Sequence, residues 1–184
     1  MHLPGYARMQ RLYRNNWADR RVVNQVTDKA NVQLTLTSEI EGEVQEHTFT
    51  GEWYRKGRTV YVRYTETDES SGEVRTVIRW RDGQLHIARR GVVDSEQNFV
   101  AGSKQAGEYK SPFARFKMVT DTSLLWMQCG DLVQRGDHMQ AETDGDGELL
   151  PTLPMLLEWH YNMYVDEELT GEFKIKLKAE LDAG

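Results

Sequence analysis

One cysteine in 184 residues, Cys129, excludes an internal disulfide framework and any cysteine-rich zinc site. Its place after an apolar strand predicts a buried structural thiol. Only four prolines are present, so long extended runs can go uninterrupted. No apolar run approaches the roughly 20 residues that a spanning helix requires. The N-terminus lacks the apolar core of a secretory signal, which predicts a cytoplasmic chain. Positive charge is in deficit, with 23 Lys and Arg against 29 Asp and Glu, a net charge of −6. That balance argues against a general nucleic-acid-binding surface. Neither a Gly-x-Ser-x-Gly elbow nor a phosphate-binding glycine loop occurs. His2, His47, His86, His138 and His160 form no close pair on one face, and His86 and His160 fall on the polar, solvent-facing sides of their strands. Asp144-Gly145-Asp146-Gly147 lacks the twelve-residue ligand spacing of a calcium loop. No catalytic residue, metal or cofactor is therefore expected, and a non-catalytic role is favoured over an enzyme.

What is present is aromatic and alternating. Five Trp and eight Tyr favour strands. From Val32 the chain reads as β: Val32, Leu34 and Leu36 alternate with polar neighbours, and Glu41-Gly42 turns into a strand ending near Lys56. After a Lys56-Gly57 turn, Thr59–Thr67, Glu73–Arg81 and Gln84–Gly91 follow, the last two joined by Asp82-Gly83, a strong hairpin signal. Shorter strands are expected near Gln97–Gly102, Phe113–Thr120 and Ser123–Gln128, then two longer ones around Leu157–Val165 and Phe173–Lys178. Sequential hairpins with almost no helix predict an all-β domain: a single antiparallel up-and-down barrel of about eight to ten strands over residues 31–184. Residues 130–152, acidic and Gly-rich, read as a flexible loop within it. Residues 1–30 form a basic extension. Tyr6, Met9, Tyr13 and Trp17 fall there at helical spacing, and its arginines offer the one weak opportunity for nucleic-acid contact.

The register of the middle hairpins is specific. With Asp82-Gly83 as a two-residue turn, Trp80 faces Leu85, Ile78 faces Ile87 and Thr76 faces Arg89. The matching face of the preceding strand carries Val60, Val62, Tyr64 and Glu66. This inward face is apolar at the turn end and polar at the other. Glu66 and Arg89, two strands or roughly 10 Å apart at the backbone, can pair there through their side chains. Two roles are open to that pair. It can be a structural plug completed by Tyr64 and Thr76, or a head-group clamp for an anionic ligand whose tail lies along Ile78 and Ile87. Trp159 and Tyr161 also take inward positions, whereas the pattern leaves the phase of Tyr54 open.

Gly51, Tyr54 and Lys56, the run Val60–Glu66, Thr76–Ile78, Arg89–Gly91, Phe99, Gly102, Tyr109–Phe113 and Thr120 together resemble the YwiB-like family of bacterial proteins. The resemblance extends from Val32 to the last strand and implies a lipocalin-like, or calycin-like, barrel of unknown function. It carries no catalytic residues, cofactor or partner with it. The chain departs from the family's pattern at Ala114, where glycine is expected, and in its longer N-terminal extension and 130–152 loop. The leading expectation is a barrel binding a small, partly apolar, anionic molecule through Arg89, Glu66, Tyr64, Thr76, Ile78 and Ile87. The alternative is a filled barrel that meets a partner through its outer surface or basic arm.

Overall fold

The computed structural model describes residues 28–68, 72–137 and 149–184. Eleven strands occur among them: β1 (Lys29–Ile40), β2 (Glu43–Lys56), β3 (Thr59–Asp68), β4 (Gly72–Arg81), β5 (Gln84–Gly91), β6 (Asp94–Val100), β7 (Lys104–Lys110), β8 (Arg115–Cys129), β9 (Leu132–Arg135), β10 (Met155–Val165) and β11 (Glu168–Leu181). All pairings are antiparallel, and β1 to β8 follow one another as neighbours. β11 pairs with β1, and β10 joins β11 to β8, so ten strands close on themselves. Closure gives each of those ten strands two neighbours, although Glu43–Thr50 of β2 pair with β1 alone and β6 meets β7 only over Asp94–Glu96. The basic extension with its helically spaced Tyr6, Met9, Tyr13 and Trp17, and the Asp144–Gly147 segment, lie outside the described residues.

Several expected boundaries move. β7 was not anticipated, because its inward residues Gln105, Gly107 and Tyr109 carry no apolar alternation. The two segments expected within 113–128 are one strand, β8, whose long edge serves two neighbours. β7 pairs with its first half and β9 with its last four residues. The 130–152 segment is thus not loop throughout, since Leu132–Arg135 is a strand with Leu132 and Gln134 buried. The turn expected at Lys56-Gly57 sits one residue later, because Lys56 still pairs with Thr59.

The core fills the end of the barrel that holds the Asp82-Gly83 turn. Trp53, Trp80, Phe99, Trp159, Leu34, Met127 and Leu177 are all buried there. Cys129 is buried among them, and burial pushes its thiol well above the ordinary range. Arg55 takes an inward position beside Trp53 and closes this end. Its Nε donates to Asp28 Oδ1 at 2.8 Å and its Nη1 to the Pro151 carbonyl at 2.9 Å, tying β2 to the approaches of β1 and β10. Tyr54 points outward, stacked on Tyr61 at 4.7 Å beneath the Arg63 guanidinium.

One patch of the outer wall is also buried. Glu158, on the polar face of β10, is 5% exposed, and His160 beside it is not the solvent-facing residue expected. His160 Nε2 lies 2.9 Å from Glu158 Oε1, and Lys176 Nζ is 3.9 Å from Oε2. Burial is the strongest single influence on this carboxyl and opposes its ionisation. The His160 hydrogen bond and the charges of Lys176 and His160 outweigh it and hold the pKa below the usual carboxylate value. A depressed native pKa contributes stability that is present above the unfolded value, about 4.3, and lost as pH falls through the native one. The stability gap between the native protein and Glu158→Gln should therefore narrow from pH 6 to pH 3 in urea titrations. A gap independent of pH would contradict this account.

Candidate functional site

The cross-strand row Gly51, Tyr64, Thr76, Arg89, Ser95, Tyr109 and Phe116 runs obliquely around the inner wall from β2 to β8. The expected registers of Trp80 with Leu85, Ile78 with Ile87 and Thr76 with Arg89 are those observed. They follow from the Asp82-Gly83 turn, where both residues hold positive φ and fix a two-residue hairpin. Arg89 Nη2 donates to Glu66 Oε2 at 2.9 Å, and Thr76 Oγ1 donates to Glu66 Oε1 at 3.0 Å. Glu66, Thr76, Arg89 and Tyr64 are thereby brought together, while Ile78 and Ile87 lie one layer deeper, level with Val62 and Gln97.

The pair is neither sealed nor free, since the side chains of Arg89 and Glu66 are 32% and 30% exposed. Inward residues of β1 show the same gradient. Val32 and Leu34 are fully buried, Leu36 and Ser38 partly, and Ile40 is exposed. The barrel is packed solid at one end and opens towards the other, and the ion pair stands where packing gives way. Aromatic rings flank it: Phe49 stacks on Tyr64 at 4.8 Å and Phe173 on Tyr161 at 4.9 Å. Burial raises the Tyr64 phenol well above its ordinary value, with the charge of Glu66 adding and that of Arg89 opposing. Tyr161 is pushed up to about 12 by burial, relieved in part by a hydrogen bond with Gln97 and the charge of Arg89. Both phenols thus remain neutral hydrogen-bonding groups beside a guanidinium. Arg89 Nε is itself buried and has no hydrogen-bond partner among the described residues.

Sequence reasoning missed Gln97, Ser95 and Tyr161 as neighbours of this layer. Tyr161 was recognised as inward, but its distance from Arg89 depends on barrel closure, which no single hairpin encodes. Among the described residues, no group of three or more His, Cys, Asp or Glu side chains could hold a metal ion. No helix there is long and apolar enough to cross a membrane.

A family model described as "Domain of unknown function (DUF1934)" matches residues 31–145. The chain belongs to the DUF1934 family. Its match to the "Uncharacterized beta-barrel protein YwiB" of Bacillus subtilis is 30% identical over 92 residues, covering 50% of this chain and 64% of that relative. The match therefore spans less than two thirds of the relative's length. The crystal structure of the ywiB protein from Bacillus subtilis superposes with a TM-score of 0.66 at 22% identity, over 85% of this chain and 95% of that one. That likeness shows the fold, a β-barrel. The β3–β5 layer holding Glu66, Thr76 and Arg89 lies inside the matched residues of the DUF1934 domain.

Proposed function

We propose that this barrel binds a small, partly apolar, anionic molecule at its open end, with Arg89 holding the acidic group and the apolar part lying against the aromatic walls of Phe49 and Phe173. The burial gradient carries the reading: a cation stands at the level where the interior changes from solid packing to solvent access. A ten-stranded barrel is wider than the eight-stranded kind that side chains alone just fill. The lipocalin-like resemblance points the same way. A guanidinium presents its donors as a planar fork that suits a carboxylate or phosphate, and Arg89 Nε has no acceptor among the described residues. Glu66 accepts from Arg89 Nη2 and so competes with an incoming anion.

That competition gives a test of opposite signs. With laurate as the probe, followed by tryptophan quenching, Arg89→Met should weaken binding about tenfold or more, the weight of a charged hydrogen bond. Glu66→Gln should tighten binding severalfold, because the fork is no longer neutralised. Stability losses that leave laurate binding unchanged would sink the reading. So would a native protein that binds none. They would favour the second reading, a structural barrel with an internal plug, which rests on Arg89 and Thr76 both donating to Glu66.

A further inference from the structure

Phe113 is the most exposed large apolar residue of the described chain, at 97%. It sits at the tip of the β7–β8 hairpin, on the rim of the open end, and the tip is firmly held. Ser111 Oγ accepts the amides of Phe113 and Ala114 at 3.3 and 3.2 Å, and Ser111 N donates to the Ala114 carbonyl at 2.8 Å. Pro112 fixes its own φ between them. The ring is therefore presented to solvent by a built turn, at the cost of hydrating its whole surface.

The first rung below the tip is cationic, with Asp94, Glu96 and Glu108 on the same outer face. Lys110 and Arg115 lie directly opposite each other across the hairpin, both exposed, and Lys117 follows on the same strand. Like charges facing one another across a strand pair are destabilising. None of the three has a carboxylate within ion-pair distance among the described residues, although Asp94 is the register partner of Lys110 and Glu108 that of Lys117. The Asp94 carboxylate accepts the Gly91 amide instead. An external anionic surface would relieve the repulsion.

The tip also projects. From the paired residues Val119 and Tyr164, six residues lead to Phe113, whereas three lead to Glu167 at the acidic β10–β11 turn. At about 3.3 Å per residue the Phe113 tip stands roughly 10 Å further out, so a surface meets it before meeting Asp166 and Glu167.

We propose that the β7–β8 tip docks this protein on an anionic lipid surface, with Phe113 entering the interface and Lys110, Arg115 and Lys117 meeting the head groups. A protruding apolar ring above a collar of cations suits a flat, deformable anionic surface. The serine that could read a specific partner is spent on the turn itself. This inference stands apart from laurate binding in the barrel, and the two fail separately.

The test places an environment-sensitive nitrobenzoxadiazole label at the tip through Ala114→Cys, leaving Phe113 in place; native Cys129 is buried and escapes labelling. Addition of vesicles of phosphatidylcholine and phosphatidylglycerol, two to one, should raise and blue-shift the emission, and pure phosphatidylcholine should not. Phe113→Ala in the labelled protein should weaken the apparent vesicle affinity at least about tenfold. Lys110→Glu with Arg115→Glu should abolish the response, and added salt should weaken it. A protein that sediments with vesicles while the label stays silent is held elsewhere, for example by residues 1–27, and overturns the proposal. Equal responses to both vesicle types overturn it as well. So does a shift in sedimentation on Phe113→Ala without any vesicle response, which would assign the tip to self-association.

Discussion

Trp80→Ala should cost about 3–5 kcal/mol, the range for removing a large aromatic from a packed core. Trp80 is 1% exposed, and its indole Nε1 donates to Gln134 Oε1 at 2.7 Å in the barrel interior. That bond is what the short β9 strand uses to reach the β4 wall. Trp80→Phe keeps most of the packing but leaves the Gln134 oxygen buried without its donor, a loss of about 1–3 kcal/mol. The loss should be local in origin. The amide of Gly136, bonded to the Leu125 carbonyl just beyond β9, should exchange faster in Trp80→Phe, while Val62 in the middle of β3 should hardly change. Urea melts with hydrogen exchange measure both. Uniform acceleration across all strands would show that β9 is not held by this bond.

Gly51→Ala should cost about 2–3 kcal/mol, the upper part of the range for overpacking. A Cβ there would lie 2.4 Å from the Arg63 carbonyl oxygen, 3.0 Å from Leu34 Cδ1 and 3.2 Å from Tyr64 Cβ. Leu34 can turn aside, but a carbonyl held in the ladder between β2 and β3 cannot. Adding Leu34→Ala should therefore fail to rescue Gly51→Ala. Recovery of the chemical-denaturation midpoint in the double variant would place the clash on the side chain instead. Gly51 begins the row that passes through Arg89 and ends at Phe116, so its missing side chain also sets how closely Tyr64 approaches β1.

The legible parts of this fold are those whose register is set locally. Asp82-Gly83 admits one pairing of β4 with β5, and strict alternation then carries Glu66, Thr76 and Arg89 to one inward layer, where their hydrogen bonds are found. What could not be read depends on distant chain segments. β8 looked like two strands because its phase changes at Ser123. Thr120 and Thr122 point inward before the bulge, Leu125 and Met127 after it. The inward threonines read as a break, yet Thr120 Oγ1 donates to the Asn98 carbonyl at 2.7 Å, a partner twenty-two residues away. Arg55 and Glu158 were passed over for a similar reason. A charged residue in an alternating strand reads as solvent-facing until closure supplies Asp28 and Pro151 for one, His160 and Lys176 for the other. Whether the Arg89 layer receives a ligand is a property of the space around it, which no alternation encodes.

Val32 pairs with Leu181, so β1 starts and β11 finishes side by side at the solid end of the barrel. The molecule therefore has poles. Its described chain enters and leaves at one, and the half-exposed ion pair and Phe113 face the other. A partner fused after Gly184 is attached at the pole opposite the mouth. A surface-immobilised or fused form of this protein would keep its open end turned towards solution.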